Sequence, residues 1–518
     1  MSTFATRFIF AVACLLVVFS AAPSVRAVQL DPGGQGQVLL YPYYTVHNGQ
    51  QTLLSIINTS DADQVVQVTL REALNGRSAL QFKIWLGRKD AWTGTLFALA
   101  DDGIARDGAG LLTRDRSCTT PLFTANGLLT SGGVPYLALG NQKYSGTLAD
   151  GGPVDSNRAR HGWIEVIALA NVSGAPAAAM MHTGVTQTPA NCRLLQDVSL
   201  DSSTSARPDG GLAGTASVIR VASGTILSSR AEALSGFTEI SLYNNDAMQP
   251  AADLASVNDG RPGGAVSSMV VDEQGRNHLL TYGARDSRSR PIDAVSAALM
   301  ATRVKNEYQT SAALGAATDW VVTMPTKAFY TDPLLIGLTS AAMPPFDEIF
   351  QAPGTSRQCA PYRIFDDNQK TLLQSYTSCS LGPPGPGLSP RPPVVALTQA
   401  ANVVPFLDIR SPPSASGVFV APSPPFGSAG VSWLSWGISP FVGPAGWLDL
   451  NLAPINFDHR LPASTEGKVL SGLPTIGFSA SNIVNGNVSN GVLANYASAV
   501  RHVTSVTCTK ASDQSPCD

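Results

Sequence analysis

Two kinds of residue in this chain have types suited to hydrolytic or metal chemistry: its histidines and its strand-borne glutamates. The histidines are His47, His161, His182, His278, His459 and His502. No two stand at i, i+2 or i+4, so the sequence holds no compact metal motif of the H-E-x-x-H kind. Any site using them has to be assembled from distant segments. Glu72, Glu165 and Glu239 lie in strand-like stretches among apolar neighbours. Glycoside hydrolysis needs two such carboxyls facing across a groove. The solvent face of a sheet accounts for the three more simply. Asp101-Asp102-Gly103 and Asp107-Gly108 offer oxygens to a calcium ion, but their spacing is not that of an EF-hand and reads as Asp-Gly turns.

The other motifs of chemistry are missing from the sequence. It has no G-x-S-x-G elbow, no G-x-x-x-x-G-K-[ST] loop and no strand-linked G-x-G-x-x-G. Gly33, Gly34 and Gly36 precede a β segment, so they form a turn cluster and not a phosphate cradle. The sequence therefore assigns no catalytic residue, no metal ligand and no cofactor, and it leans away from an enzyme. Aromatic residues give the clearest hint of binding. Tyr41, Tyr43 and Tyr44 cluster near the start, and Trp433, Trp436 and Trp447 lie between late prolines. Exposed, they would suit a sugar or a protein surface; packing in a core is the competing assignment.

Cysteine has a structural reading. Cys14 falls in the leader described below, which leaves Cys118, Cys192, Cys359, Cys379, Cys508 and Cys517. An even number in an exported chain predicts disulfides. Sequential pairing, 118 with 192, 359 with 379 and 508 with 517, is the expectation. No C-x-x-C pair exists to suggest zinc.

The elements that must position these residues are strands. Charged residues make up 14% of the 518, well below the usual ~25%. Apolar residues at 44% exclude a disordered chain, and a net charge of −3 excludes a nucleic-acid partner. Gly (47) and Pro (36) are numerous enough to punctuate many short elements. Val66, Val68 and Leu70 alternate with Gln67, Thr69 and Arg71. After the hairpin signal Asn75-Gly76, Leu80, Phe82, Ile84 and Leu86 alternate with Gln81, Lys83 and Trp85. Period two with polar partners predicts antiparallel strands with one face buried. Evenly spaced short strands predict a mainly β chain of Ig-like sandwich units with few short helices. Pro42 places the segment 38–46 at a sheet edge or in a bulge. Pro291, Asp293 and the apolar Val295, Leu299 and Met300 predict one helix near 291–308, although 304–308 also reads as a strand.

The organisation read from the chain is as follows. Residues 1–27 form a signal peptide: Arg7, an apolar run from Phe8 to Ala22, Pro23 and a small-residue cleavage site ending at Ala27. The run is shorter than the ~20 residues a spanning helix needs, and no transmembrane segment is expected after cleavage. An N-terminal β-sandwich is expected over 28–115 and a β-rich region over 116–380. A proline-rich loop region follows over 381–430, and a β-rich segment over 431–518.

Several blocks carry a resemblance. They are Gly36 followed by QVLLYPYYTV, TLLSIINTSDADQVVQVTLREALNGR, LQFKIWLGRKDAW, HGWIEVIAL, GGLAGTASVIRVASGTIL, PIDAVSAALM, AATDWVVTMPTKAFY and LPTIGFSASNIVNGN. They cover most of the mature chain in order. In them the chain resembles a family of poorly characterised exported proteobacterial proteins, sometimes labelled surface proteins. The resemblance implies a Gram-negative source and export, and it brings no catalytic residue; the proline-rich region matches nothing in it. The expected function is a non-enzymatic surface, scaffold or adhesion-type protein, periplasmic, on the outer surface or released. Its partners would be cell-surface proteins or glycans. The alternative is a secreted hydrolase or carbohydrate-binding protein with a site assembled from distant loops.

Overall fold

A computed structural model describes residues 26–99, 108–123, 129–131, 133–185, 187–245, 249–285, 288–337, 341–368, 394–406, 418–419, 443–454, 458–489 and 492–518. The fold is mainly β, with antiparallel sheets and three α-helices among the described residues. Two large sheets form a first sandwich. One runs, in spatial order, through strands 29–30, 232–235, 38–45, 161–172, 63–72, 78–86 and 118–120, with 205–206 beside 161–172. The other runs 225–230, 212–220, 50–58, 91–98, 109–112, 134–138 and 129–131. Strands from 161 to 235 thus share sheets with those of 38–98, so the sandwich extends well past residue 115 in sequence.

The alternating residues do what their period requires. Val66, Val68, Leu70, Phe82 and Ile84 point between the two sheets and meet Leu54, Ile56 and Trp92. The opposite face of the first sheet is also covered. Val38, Leu40, Val65, Trp85, Trp163 and Leu169 join a second core with the hairpin Val266–Val271/Asn277–Tyr282 and the helices Gly174–Met180 and Ile292–Ala298. That corrects the expectation of one wet face: Gln67 and Thr69 are 2% and 1% exposed. They tolerate burial because they are bonded. The Gln67 amide donates to the Ala252 carbonyl, and the Gln81 amide to Thr69 Oγ1 at 3.1 Å.

Pro42 lies inside a sheet and not at its edge. The ladder between Val38–Thr45 and His161–Val172 shifts register between Gly162 and Ile164, opposite Pro42. On its other side the neighbouring strand pairs only Val38, Leu39 and Leu40, so the missing proline N–H breaks no ladder bond there. The bulge leaves Gly162 against the next strand. A Cβ there would stand 1.9 Å from the Arg71 carbonyl oxygen, so only glycine fits.

Two further sheets make a second sandwich. Strands 394–397, 358–366, 445–451, 303–309 and 503–505 face strands 401–406, 316–323, 476–489 and 492–501. Tyr308 of the first sheet stacks on Phe406 of the second at 5.2 Å, and Trp320 packs beside them. The helix expected near 291–308 is real but stops at Ala298. Arg303–Gln309 is a strand, because Val304 and Tyr308 are buried while Lys305 and Glu307 face out.

The two sandwiches meet through Tyr43, Val218 and Leu227 on one side and Val321, Val403, Phe419 and Phe478 on the other. Backbone bonds cross the seam: Ala400 and Ala401 donate to the carbonyls of Leu74 and Ala73 at 2.9 Å each. Beside them Lys327 is 2% exposed, and its ammonium donates to the carbonyls of Ser356 (2.6 Å) and Gln399 (3.1 Å).

Candidate functional site

The three candidate glutamates end up in three different places, and each is paired with arginine. Glu72 closes the strand Asp63–Glu72, just before the Asn75-Gly76 turn. Its carboxylate accepts the backbone N–H groups of Leu74 (2.7 Å), Asn75 (3.1 Å) and Arg77 (2.9 Å), which wraps the turn around it. Arg158, wholly buried at the side chain, then forks onto it: Nε to Oε2 at 2.9 Å and Nη2 to Oε1 at 3.0 Å. The same guanidinium forks onto Asp150, at 2.8 and 2.6 Å, and lies 4.5 Å over the Tyr144 ring. A third contact goes to the Pro153 carbonyl. All five guanidinium donors thus have an acceptor. The cluster continues across the seam. Asn75 donates to both Asp150 and Asp332, and Arg77 grips the two oxygens of Asp332 at 2.6 Å each. Arg158 holds the Asp150 carboxyl below the usual carboxylate range despite its burial.

Glu165 is fully buried and takes Arg71 at 3.0 Å; burial raises its carboxyl above the usual range. Glu239 lies at the surface, bonded to Arg207 at 3.2 Å and to Arg26. It lines a polar cleft of about 420 Å³ with Asp31 and Asp209. The paired-carboxylate arrangement of a glycosidase is not formed by these three residues, since Glu72 and Glu165 are sealed from solvent. Asp101, Asp102 and Asp107 lie outside the described residues.

The aromatic candidates separate. Tyr41, Tyr43 and Tyr44 are 0%, 3% and 0% exposed and belong to cores. Their hydroxyl and ring contacts are internal: Tyr41 donates to Ser55 O at 2.7 Å, Tyr44 to Ala159 O at 3.1 Å, and Tyr43 packs on Phe419 at 5.0 Å. Trp433 and Trp436 lie outside the described residues. Trp447 is 42% exposed and stacks flat on Phe365 at 4.4 Å. It is the one expected aromatic that the described structure presents to solvent.

The cysteine pairing holds where it is described. Cys118–Cys192 and Cys508–Cys517 are disulfides, with Cα atoms 5.1 and 5.4 Å apart. Cys359 is disulfide-bonded; Cys379, its expected partner, lies outside the described residues. His278 stands against Cys508 and Cys517, but oxidised sulfurs are not the thiolates a metal needs.

Several histidines are paired inside the protein. His278 bonds Asp272 at 2.8 Å, His459 bonds Asp347 at 2.7 Å, and His47 meets His161 at 3.2 Å. His502 bonds the Val321 carbonyl at 2.9 Å beneath Trp320. Burial pulls His161 and His502 down to about 4. Burial, then the neighbouring His161, takes His47 to about 2.

The sequence did not reveal Arg158, Asp150, Arg77 or Asp332 as a unit. They are 255 residues apart at the extremes, Asp150 and Arg158 in loop and 3₁₀ segments, and no periodicity marks them. The signal that was present is Glu72-x-x-Asn75-Gly76-Arg77, a charged and amide-bearing hairpin that a plain turn does not require.

Two outcomes follow. Arg158→Leu should lower unfolding free energy by about 3–5 kcal/mol, since it strands two buried carboxylates. Arg158→Lys should recover little of this, because an ammonium cannot make two forks. Urea denaturation measures both, and a loss below ~1 kcal/mol would place the cluster with surface pairs. Stability should also fall as pH drops. The unfolded histidines take up protons near 6.5, whereas His161 and His502 resist until about 4. Melting temperature should therefore be flat just above pH 6.5 and decline between 6.5 and 4, less steeply in His502→Gln. A flat profile across that window would contradict the assignment.

No family model matches the chain, and neither does any curated protein or solved structure.

Proposed function

We propose that this chain is an exported surface, scaffold or adhesion-type protein. The observation that supports it is where its reactive groups sit. Four cysteines are joined in two disulfides, and the carboxylates flagged by sequence are tied to arginine. Disulfides favour an oxidising compartment, and the residues best suited to chemistry hold strands and loops together. No helix among the described residues is long and apolar enough to cross a membrane. The leader ending at Ala27 and the resemblance to exported proteobacterial surface proteins point the same way.

Fractionation of native cells, with labelling of intact cells by a membrane-impermeant amine reagent, tests this reading. The protein should be recovered outside the cytoplasm, begin at Val28 and take up the label. Cytoplasmic recovery with Met1 retained would contradict export. Processed protein confined to the periplasm and shielded from the label would contradict the surface role.

A further inference from the structure

The cleft of about 420 Å³ beside Glu239 has Arg26 and Ala27 in its lining, the last two residues of the segment read as a leader. Both are seated on specific groups. The Arg26 guanidinium donates to the Glu239 carboxylate, which Arg207 also holds at 3.2 Å. Ala27 lies against the turn at Gly236, where φ is +67°. A Cβ on Gly236 would stand 2.2 Å from the Ala27 carbonyl oxygen, so the glycine is what gives that carbonyl room.

From the next residue the chain is locked into the sandwich. Val28 is fully buried. Its N–H donates to the Ser267 carbonyl at 2.8 Å, and its carbonyl accepts from the Met269 N–H at 2.9 Å and from Ser268 Oγ at 3.1 Å. Gln29 and Leu30 then pair with Ser235 and Leu234. These bonds hold Val28 in place when residues 1–27 are removed, so the seat of Arg26 and Ala27 is emptied. Removal also changes two groups at that seat. Glu239 loses one of its two guanidinium partners. The Val28 nitrogen becomes an ammonium with three donors, of which Ser267 takes one. Of the described residues lining the vacated cleft, Asp31, Asp209 and Glu239 are acidic, against Arg207 and this ammonium.

We infer that the vacated cleft binds the C-terminal end of a peptide that finishes in arginine and a small residue. The ligand's guanidinium takes the place of Arg26 on Glu239. Its terminal carboxylate meets the Val28 ammonium, and its small last residue lies against Gly236. Arginine suits the carboxylate because its planar fork can give two parallel bonds, which an ammonium cannot. A free C-terminus is required, because a chain running on past the small residue would collide with Val28. The inference rests on the export reading, since cleavage between Ala27 and Val28 is what opens the cleft.

Calorimetric titration tests it, with the chain released from an N-terminal fusion so that it begins at Val28. The probe is N-acetylated Ser-Val-Arg-Ala with a free carboxylate, the sequence of residues 24–27. It should bind saturably. The same peptide with Gln for Arg, or with an amidated C-terminus, should bind at least about tenfold more weakly, as expected for loss of a charge-assisted contact. Glu239→Gln, which keeps the side-chain shape, should weaken the probe by about tenfold with the melting temperature unchanged. A chain that retains residues 24–27 should not bind it, because its own Arg26 and Ala27 fill the seat. No saturable binding, equal binding of the Gln peptide, an unaffected Glu239→Gln variant, or full binding by the longer chain would each overturn the inference. Failure of the probe on the Val28 chain counts against the site alone, whereas Met1 retained on the native protein counts against export alone.

Discussion

The structure depends on one buried guanidinium. Arg158 reaches two carboxylates at once, with every donor satisfied and its plane against Tyr144. Through Glu72 it fixes the hairpin turn of the first sandwich, and through Asp150 it fixes the long loop behind it. The turn so formed can then present Asn75 and Arg77 to Asp332 and its carbonyls to Ala400 and Ala401. Such networks do not stabilise cheaply, because each charge loses its water. What this one supplies is a single geometry. A hydrophobic turn of equal size would pack, but it would not select which segment of the second sandwich to meet.

That geometry changes the meaning of the chain's low charge. Charged residues are few, and several of the few are inside: Glu72, Glu165, Asp150, Arg158, Asp319, Asp332 and Lys327 are each below 9% exposed. Polar residues at alternate strand positions, such as Gln67 and Thr69, are also internal. The composition therefore reflects a molecule whose scarce charges join parts to one another.

Much of the fold was legible in the residues. Alternation at Val66–Leu70 and Leu80–Leu86 located strands closely, because one apolar face had to be buried whatever covered the other. The disulfide pairs 118–192 and 508–517 also emerged from simple order. The covering of the outer face was not legible. A glutamine satisfied by a carbonyl 185 residues away looks the same in sequence as one facing water. The helix near 291 was overextended for a related reason: Val304 and Tyr308 fit one helical face as well as one strand face, and pairing with Ala445–Asn451 decided between them. Tyr41, Tyr43 and Tyr44 were ambiguous because a tyrosine serves a core if its hydroxyl finds a carbonyl. The cluster around Arg158 was hidden by distance along the chain.

The central claim is that the charged hairpin joins the two sandwiches into one cooperative body. A double-mutant cycle with Arg77→Ala and Asp332→Ala, read by chemical denaturation, addresses it most directly. The account predicts a coupling energy of about 2 kcal/mol or more, near the top of the range for residues in contact, with one unfolding transition in every variant. Additive single effects, or two separate transitions in the unsubstituted protein, would contradict it.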